Sequence, residues 1–504
     1  MKSHLFGNPH SNSPSSMLST DRVESTRIQA LHFFKADPEL FDLIFVANAT
    51  AAIKLVMDCM SDYSRSKESN GFWYGYHGDS HTSLVGVREV AGMESRCFAS
   101  DEEVEEWLGH PERSPRAYGE NLPNVEEKLR LFAYPAQSNM NGRRLPLDWP
   151  GRLRNTTSES REVYSLLDAA AFVPTGQLDF SDWKNAPDFT ALSFYKIFGF
   201  PDLGALIVRK ASGHVLKERR YFGGGTVEMV INGNANDAWH ARKAASLHQM
   251  LEDGTSAFHS IAALQLALKT HRRLFGSMGN VSKHTCHLIR ILHEEMSILY
   301  HQNGLQVCKV YKGTASEYGE SRTQGPTIAF NVRDSNGNWI GKSDFERLAI
   351  IKNIQIRTGG LCNPGGIASS LQYSPTEMRE NFDDGVRCGN ELDEMHGKPT
   401  GVVRVSLGAM SSMKDIKRFM EFMQLFVEQT PSRAPDSKAV VQVKEVNVPT
   451  RCPVAACINI FGSREELLLK LWTDHGYRED VGNGIICGFQ DKKQEKMTAV
   501  VALR

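Results

Sequence analysis

The 504-residue chain has no excess of charge of either sign: 58 Lys and Arg stand against 59 Asp and Glu, a formal net charge of −1. This balance calls for neither nucleic acid nor an anionic membrane as partner. No CxxC pair occurs, and the nine cysteines (59, 97, 286, 308, 362, 388, 452, 457 and 487) are scattered and odd in number. A disulfide framework does not suit so long a chain, and a reducing, cytoplasmic setting is expected. The opening "MKSHLFGNPHSNSPSS" carries no apolar core of the kind a secretion signal needs. No apolar run approaches membrane-spanning length, and no internal repeat is visible. The composition, 41% hydrophobic and 23% charged, is that of a soluble globular protein. Its length allows about two to four domains, or one large α/β unit with a smaller companion.

Between residues 40 and 210 short apolar runs alternate with helix-like segments. "FDLIFVANAT" (41–50) reads as strand then turn, and "AAIKLVMDCM" continues as an apolar-faced helix. "LRLFAYPAQSN" (129–139), "VYSLLDAAAF" (163–172), "FTALSFYK" (189–196) and "GALIVRK" (204–210) are further β-like runs. Several are apolar almost throughout, as strands covered on both faces of a mostly parallel sheet should be. Two amphipathic helices are expected over 256–300, then strands at 327–334 and 401–408 around a Gly-rich loop at 358–366. "TPSRAPDSK" (430–438) has the composition of a linker.

In an α/β sheet, ligands gather at the carboxyl ends of the strands. Lys196, in "LSFYKIFGFPDLGAL", stands in an otherwise apolar stretch at the end of such a run. A lysine there is commonly a snorkelling surface residue. Desolvated, it instead becomes a nucleophilic amine able to form a Schiff base, as in pyridoxal phosphate (PLP) enzymes. Such a site also needs a carboxylate for the pyridine nitrogen. Asp168 ends another apolar run, although a helix-capping role fits it equally. "VANATAAIK" (46–54) is a strand–turn–helix junction where backbone N–H groups can take a phosphate, a weak signal alone. Cys362 lies among Gly359, Gly360, Pro364, Gly365 and Gly366, near Arg357. That loop is expected to be exposed and mobile, and its thiol reactive rather than structural. His81, in "DSHTS", is either a site residue or a core or metal-binding histidine beside His77, with no third ligand nearby.

Taken in order, "GNPHS" (7–11), "ANATAAIK", "DSHTSLVGVREVA" (79–91), "FAYPAQSNMNGRRLPL" (132–147), "LDAAAFVPT" (167–175), the Lys196 stretch, "YFGGGTV" (221–227), "EDGT" (252–255), "RTGGLCNPGG" (357–366) and "VVRVSLG" (402–408) resemble the class V aminotransferase superfamily. Within it the chain is most similar to the cysteine-desulfurase-like N-terminal part of the molybdenum cofactor sulfurases. The resemblance runs from the first residues to about 428 and implies PLP fold type I. That fold is α/β, with a mostly parallel central sheet in a large domain and a smaller α+β domain after it. The expected organisation is an N-terminal segment at 1–25, a PLP-binding domain at 26–270 and the smaller domain with the cysteine loop at 271–428. A linker at 429–447 and a tail at 448–504 would follow, "CPVAAC" (452–457) being faintly similar to the opening of a MOSC domain.

The resemblance also implies roles. Lys196 carries the cofactor and moves a proton; Asp168 pairs with the pyridine nitrogen; His81 stacks on the ring; Asn139 reaches its phenolic oxygen. Ala49, Thr50 and Ser193 hold the phosphate, Thr255 reaches it from the partner subunit of a homodimer, and Tyr195 adjoins it. Arg404 grips the carboxylate of L-cysteine, and Cys362 receives its sulfur as a persulfide while alanine leaves. No metal is implied in this site. The sulfur acceptor is left open, the molybdenum cofactor being the one the resemblance brings. Ala47-Asn48, Tyr195 and Ala171 depart from the Ser-Gly, histidine and glutamine usual in relatives. The chain also starts almost at "GNPHS", where sulfurases carry a preceding strand, and a full MOSC domain is not expected after 428. A PLP-dependent C–S lyase and a non-catalytic binding descendant are the alternative readings.

Overall fold

A computed structural model describes residues 5–109, 129–157, 162–234 and 236–427, with short backbone stretches beyond them. A seven-stranded sheet organises the first half of the chain. Its strands are β1 (Phe41–Val46), β2 (Phe72–His77), β3 (Gly92–Phe98), β4 (Leu129–Pro135), β5 (Glu162–Asp168), β6 (Phe189–Ser193) and β7 (Gly204–Arg209), in the order β1-β7-β6-β5-β4-β2-β3. The strands from β3 to β6 are parallel, and β7 lies antiparallel between β6 and β1. All seven residues of β4 are buried, because helices cover both faces.

Successive side chains of a strand feed two separate cores. Phe132 and Tyr134 point into one with Leu43, Phe45 and Trp149; Leu131 and Ala133 point into the other with Ile44, Val56 and Met60. Helix α1 (Pro14–Phe33) packs on the first face, and its start is fixed by the Ser13 cap and by Pro14 in its first turn. Helix α2 (Ala49–Ser66) packs on the second and is capped by Asn48, whose Oδ1 accepts from the Ala51 N–H at 3.0 Å. Beyond β7 lies a hairpin of β8 (Val227–Ile231) and β9 (Trp239–Arg242), which exposes Met229, Val230, Ile231 and Trp239.

The two amphipathic helices form at Phe258–Phe275 and Met278–Ser297. Ile261, Leu264 and Leu268 of the first join the core of the large sheet, whereas Leu288, Ile289, Leu292 and Met296 of the second join a third core. The chain therefore changes layers at Gly276; the boundary expected at 270/271 falls inside the first helix. The third core lines a smaller antiparallel sheet of β10 (Cys308–Tyr311), β11 (Thr327–Arg333), β12 (Trp339–Ile340), β13 (Arg357–Gly359) and β16 (Val402–Ser406). β14 (Glu394–Met395) and β15 (Lys398–Pro399) pair with one another apart from it. Residues 1–431 form one compact unit. In the second, 432–504, the described residues are two short antiparallel pairs, Thr450–Arg451 with Ile460–Phe461 and Arg478–Asp480 with Ile485–Cys487. The linker expected at 429–447 and the "CPVAAC" segment lie outside the described residues.

One ion pair ties α1 to this frame. The Arg27 guanidinium is 2% exposed and donates to Glu252 Oε1 at 2.6 Å, to Glu252 Oε2 at 3.1 Å and to the Leu43 carbonyl at 2.5 Å. Glu252 also accepts from the Phe45 N–H at 2.7 Å. Arg27 also pairs with the half-exposed Glu24 at 3.2 Å, but without Glu252 it loses its buried counter-charge. Glu252→Ala is expected to lower the unfolding free energy by about 3 kcal/mol, read from the midpoint of a urea transition.

Candidate active site

The carboxyl ends of β4, β5 and β6 lie side by side, with Pro135 opposite Asp168 and Asp168 opposite Ala191. A cavity of about 430 Å³ opens there, a size suited to a small-molecule ligand. Lys196, Asp168 and His81 line it, as do Ala49, Thr50, Asn139, Ser193 and Tyr195. Lys196 sits not at the strand end but three residues past it, in the single helical turn Tyr195–Phe198. Its side chain is open to the cavity yet walled by protein, and this desolvation lowers its pKa below the ordinary 10.5. The charge of Asp168 opposes the shift, and that of Arg404 adds to it.

Asp168 is 7% exposed and accepts from the Ala170 N–H at 3.0 Å, so it does close a turn. It also faces the cavity, so the capping and site readings hold together. His81 Nδ1 accepts from the Ser83 N–H at 3.1 Å and lies 2.9 Å from Ser83 Oγ. Burial and the nearby Lys196 hold its pKa below 6.5 against the pull of Asp168. The shift favours the neutral ring, and the Ser83 N–H on Nδ1 then puts its proton on Nε2. At the start of α2 the Ala49 N–H donates to Ser193 Oγ at 3.0 Å, and Thr50 Oγ1 lies 2.8 Å from Ser83 Oγ. Hydroxyls and helix-start amides so arranged can take a phosphate. Asn48 meets the backbone close to Gly204, where a Cβ would lie 2.5 Å from the Asn48 Cα.

The cysteine loop, from the smaller sheet, is hydrogen-bonded to the rim of this cavity, although neither Cys362 nor Arg404 lines it. Cys362 is exposed, and its carbonyl accepts from the Thr82 N–H at 2.9 Å, next to His81. On its other side the Leu361 carbonyl accepts from Asn139 Nδ2 at 2.7 Å. Arg404, on β16, donates from Nη1 to the Asn139 carbonyl at 2.6 Å, while its Nε is buried and lacks a partner among the described residues. Burial and the neighbouring Arg357 lower the Arg404 pKa. A half-buried guanidinium suits a carboxylate. The glycines before Cys362, Gly359 and Gly360, meet open space, whereas those after it are closely packed. A Cβ on Gly365 would lie 2.1 Å from the Gly78 carbonyl, so glycine permits a close approach here.

Thr255 is exposed and does not line this cavity. His77 is no metal partner for His81: its Nδ1 accepts from the Asp79 N–H at 3.0 Å and its Nε2 is 3.1 Å from Asp101. Among the described residues no cluster could hold a metal ion. Sequence reasoning missed Gln137, Ser83 and Asp202, which also line the cavity, and Asn363, which anchors the loop. Asn363 had a local signal, since asparagine before a proline marks a helix start. It caps the helix Pro364–Leu371.

The family model for aminotransferase class-V matches residues 2–419. The chain belongs to the aminotransferase class-V family. It is 57% identical over 428 residues to a molybdenum cofactor sulfurase of Neosartorya fischeri, covering 84% of this chain and 48% of that protein. A molybdenum cofactor sulfurase of Aspergillus niger is 53% identical over 451 residues, covering 90% and 52%. The chain thus spans about half the length of these curated relatives. A cysteine desulfurase from Thermococcus onnurineus NA1 shares its fold, with TM-score 0.60 and 17% identity over 83% of this chain and 86% of that one. So does the cystine C-S lyase C-DES, with TM-score 0.56 and 16% identity over 83% and 90%. The class-V chain accordingly has the PLP fold type I expected of it. Its cavity fits that cofactor, offering an open amine, a buried carboxylate, a neutral imidazole and a cluster of hydroxyls and amides.

A lysine whose folded pKa is lowered weakens the fold below that value, and the deficit is gone above the unfolded pKa. Lys196→Met is therefore expected to raise the melting temperature of the cofactor-stripped protein at pH 7. The gain should shrink as pH rises and vanish by about pH 10.5, as a series of thermal melts across pH would show.

Proposed function

We propose that the chain is a PLP-dependent cysteine desulfurase of the sulfurase type, which removes the sulfur of L-cysteine onto Cys362 and releases alanine. The observation that carries this reading is the pair of hydrogen bonds, Thr82 to Cys362 and Asn139 to Leu361, that fasten an exposed thiol beside the Lys196–Asp168 cavity. PLP, when bound, supplies an electron sink for the carbon bearing the substrate amine. Lys196 is the residue to bind it covalently and then to move a proton, because desolvation favours its free amine. Asp168 would hold the cofactor's ring nitrogen and His81 its face. Ser193, Thr50 and the Ala49 amide would hold its phosphate. Arg404 would take the substrate carboxylate with its guanidinium. The Cys362 thiolate attacks the substrate sulfur; an S–S bond forms, the C–S bond breaks with its electron pair left on carbon, and a proton completes the methyl of alanine.

The sulfur acceptor belongs to this proposal too, and the sulfurase relatives support the molybdenum cofactor in that role. Cys59, Cys97, Cys286, Cys308, Cys362 and Cys388 are free thiols, and a reducing, cytoplasmic setting is part of this proposal. Among the described residues no helix is long and apolar enough to cross a membrane.

Incubation with L-cysteine under reducing conditions tests the reading through its products. Alanine with stoichiometric sulfide is expected; pyruvate would shift the assignment to a C–S lyase, and no turnover to a binding protein. Cys362→Ala should lose sulfide release while keeping the visible absorbance of the loaded protein, and undiminished desulfuration by that variant would sink the persulfide step. A homodimer is also proposed, because Thr255 lies outside its own chain's cavity and the β8–β9 hairpin exposes four large apolar side chains. Sedimentation should give a dimer, and Trp239→Glu should shift it toward monomer; a PLP-loaded monomer would refute the role of Thr255.

A further inference from the structure

A second cavity, of about 640 Å³, lies apart from the Lys196 cavity and shares none of its lining residues. Its walls come from the segment after β4, from the first turns of the helix Met278–Ser297 and from the loop 315–323. One side is apolar, formed by Leu145, Pro146, Leu147 and Phe172. The other is cationic: Arg143, Arg144, Lys283 and Arg322 face a single lining carboxylate, Asp101. Arg143 is neutralised by Asp79 at 2.9 Å and Asp101 at 2.6 Å. Glu320, half-exposed and not part of the lining, lies 3.4 Å from Arg322 and offsets part of its charge.

Arg144 is the unusual member. It is 8% exposed, yet its partners are all neutral: Gln137 Oε1 at 2.9 Å, the Ser321 carbonyl at 2.5 Å, Thr175 Oγ1 at 3.2 Å and the ring of Phe172. A charged group is rarely buried without a counter-charge, and burial pushes its pKa down to about 10. The lining thus offers a desolvated cation and two accessible ones opposite an apolar wall, and Gly279 brings the first turn of a 20-residue helix to it.

We infer that this second cavity is a binding site for a small organic anion with an apolar body, such as an aryl phosphate. The anion would face Arg144, Lys283 and Arg322, and its body would cover Leu145, Leu147 and Phe172. Gln137 joins the two sites, since it accepts from Arg144 Nε and also lines the Lys196 cavity. An anion drawing on Arg144 therefore acts on a residue of the first site without entering it.

The test is a calorimetric titration of the full, PLP-loaded chain with phenyl phosphate, and with phenol and inorganic phosphate in parallel. Phenyl phosphate should bind one site per chain at least about tenfold tighter than either companion, because only it uses both walls. The double variant Lys283→Gln/Arg322→Gln should weaken it by roughly tenfold or more, as should Leu147→Asp on the opposite wall, with the visible absorbance of each unchanged. These residues lie outside the first cavity, so the effect reports on the second site whether or not L-cysteine is turned over. Absence of binding, phenol binding as tightly as phenyl phosphate, or unaltered affinity in both variants would overturn the inference.

Discussion

The buried side-chain amide of Asn363 joins the two parts of the site. At 0% exposure it cannot turn to water, so each of its polar atoms must find a protein partner. Nδ2 donates to the Asp79 carbonyl at 3.0 Å and to Asn139 Oδ1 at 3.0 Å, both on the rim of the large sheet, and Oδ1 accepts from the Gly366 N–H at 2.9 Å. Asp79 is held by Arg143, and Arg143 by Asp101. Moving the cysteine loop would break this set together and leave several buried groups unpaired, each a costly loss.

The same fastening explains how the loop keeps an uncommon backbone. Leu361 and Cys362 both have left-handed φ, +53° and +52°, without being glycine. Each costs about 1 kcal/mol or more relative to ordinary backbone. Leu361 offsets this by burying its side chain against Met140, Tyr311, Ile367 and Leu371. Cys362 has no such burial and is carried by its neighbours on both sides. The thiol is therefore presented by a segment hydrogen-bonded on both sides.

Much of this was legible in the chain. Strands β1, β4, β5, β6 and β7 are contiguous apolar runs, so local pattern marks them. Lys196 and Asp168 stand out because charged residues interrupt or end such runs. What stayed hidden depends on residues distant in sequence. Gln137 is an ordinary polar residue until β4 delivers it to the cavity, and Ser83 acquires its place only through the turn at His81. Glycine signals freedom in a sequence, which suits Gly359 and Gly360, whereas the tight contact at Gly365 is visible only in the fold. The helical turn at Lys196 was missed because four aromatic-rich residues read equally well as strand. The tail beyond 431 gave no periodicity to read.

The position of β7 has a consequence for how the chain is made. β1 is an edge strand, and its partner in the sheet is β7, antiparallel, from Phe41 opposite Arg209 to Val46 opposite Gly204. During synthesis residues 41–46 therefore emerge long before the strand that will cover their open edge. Until then an apolar strand with unpaired amides and carbonyls is available to other chains. Such distant pairing slows assembly. Residues 41–46 thus stay without their sheet partner until residue 209 has been made.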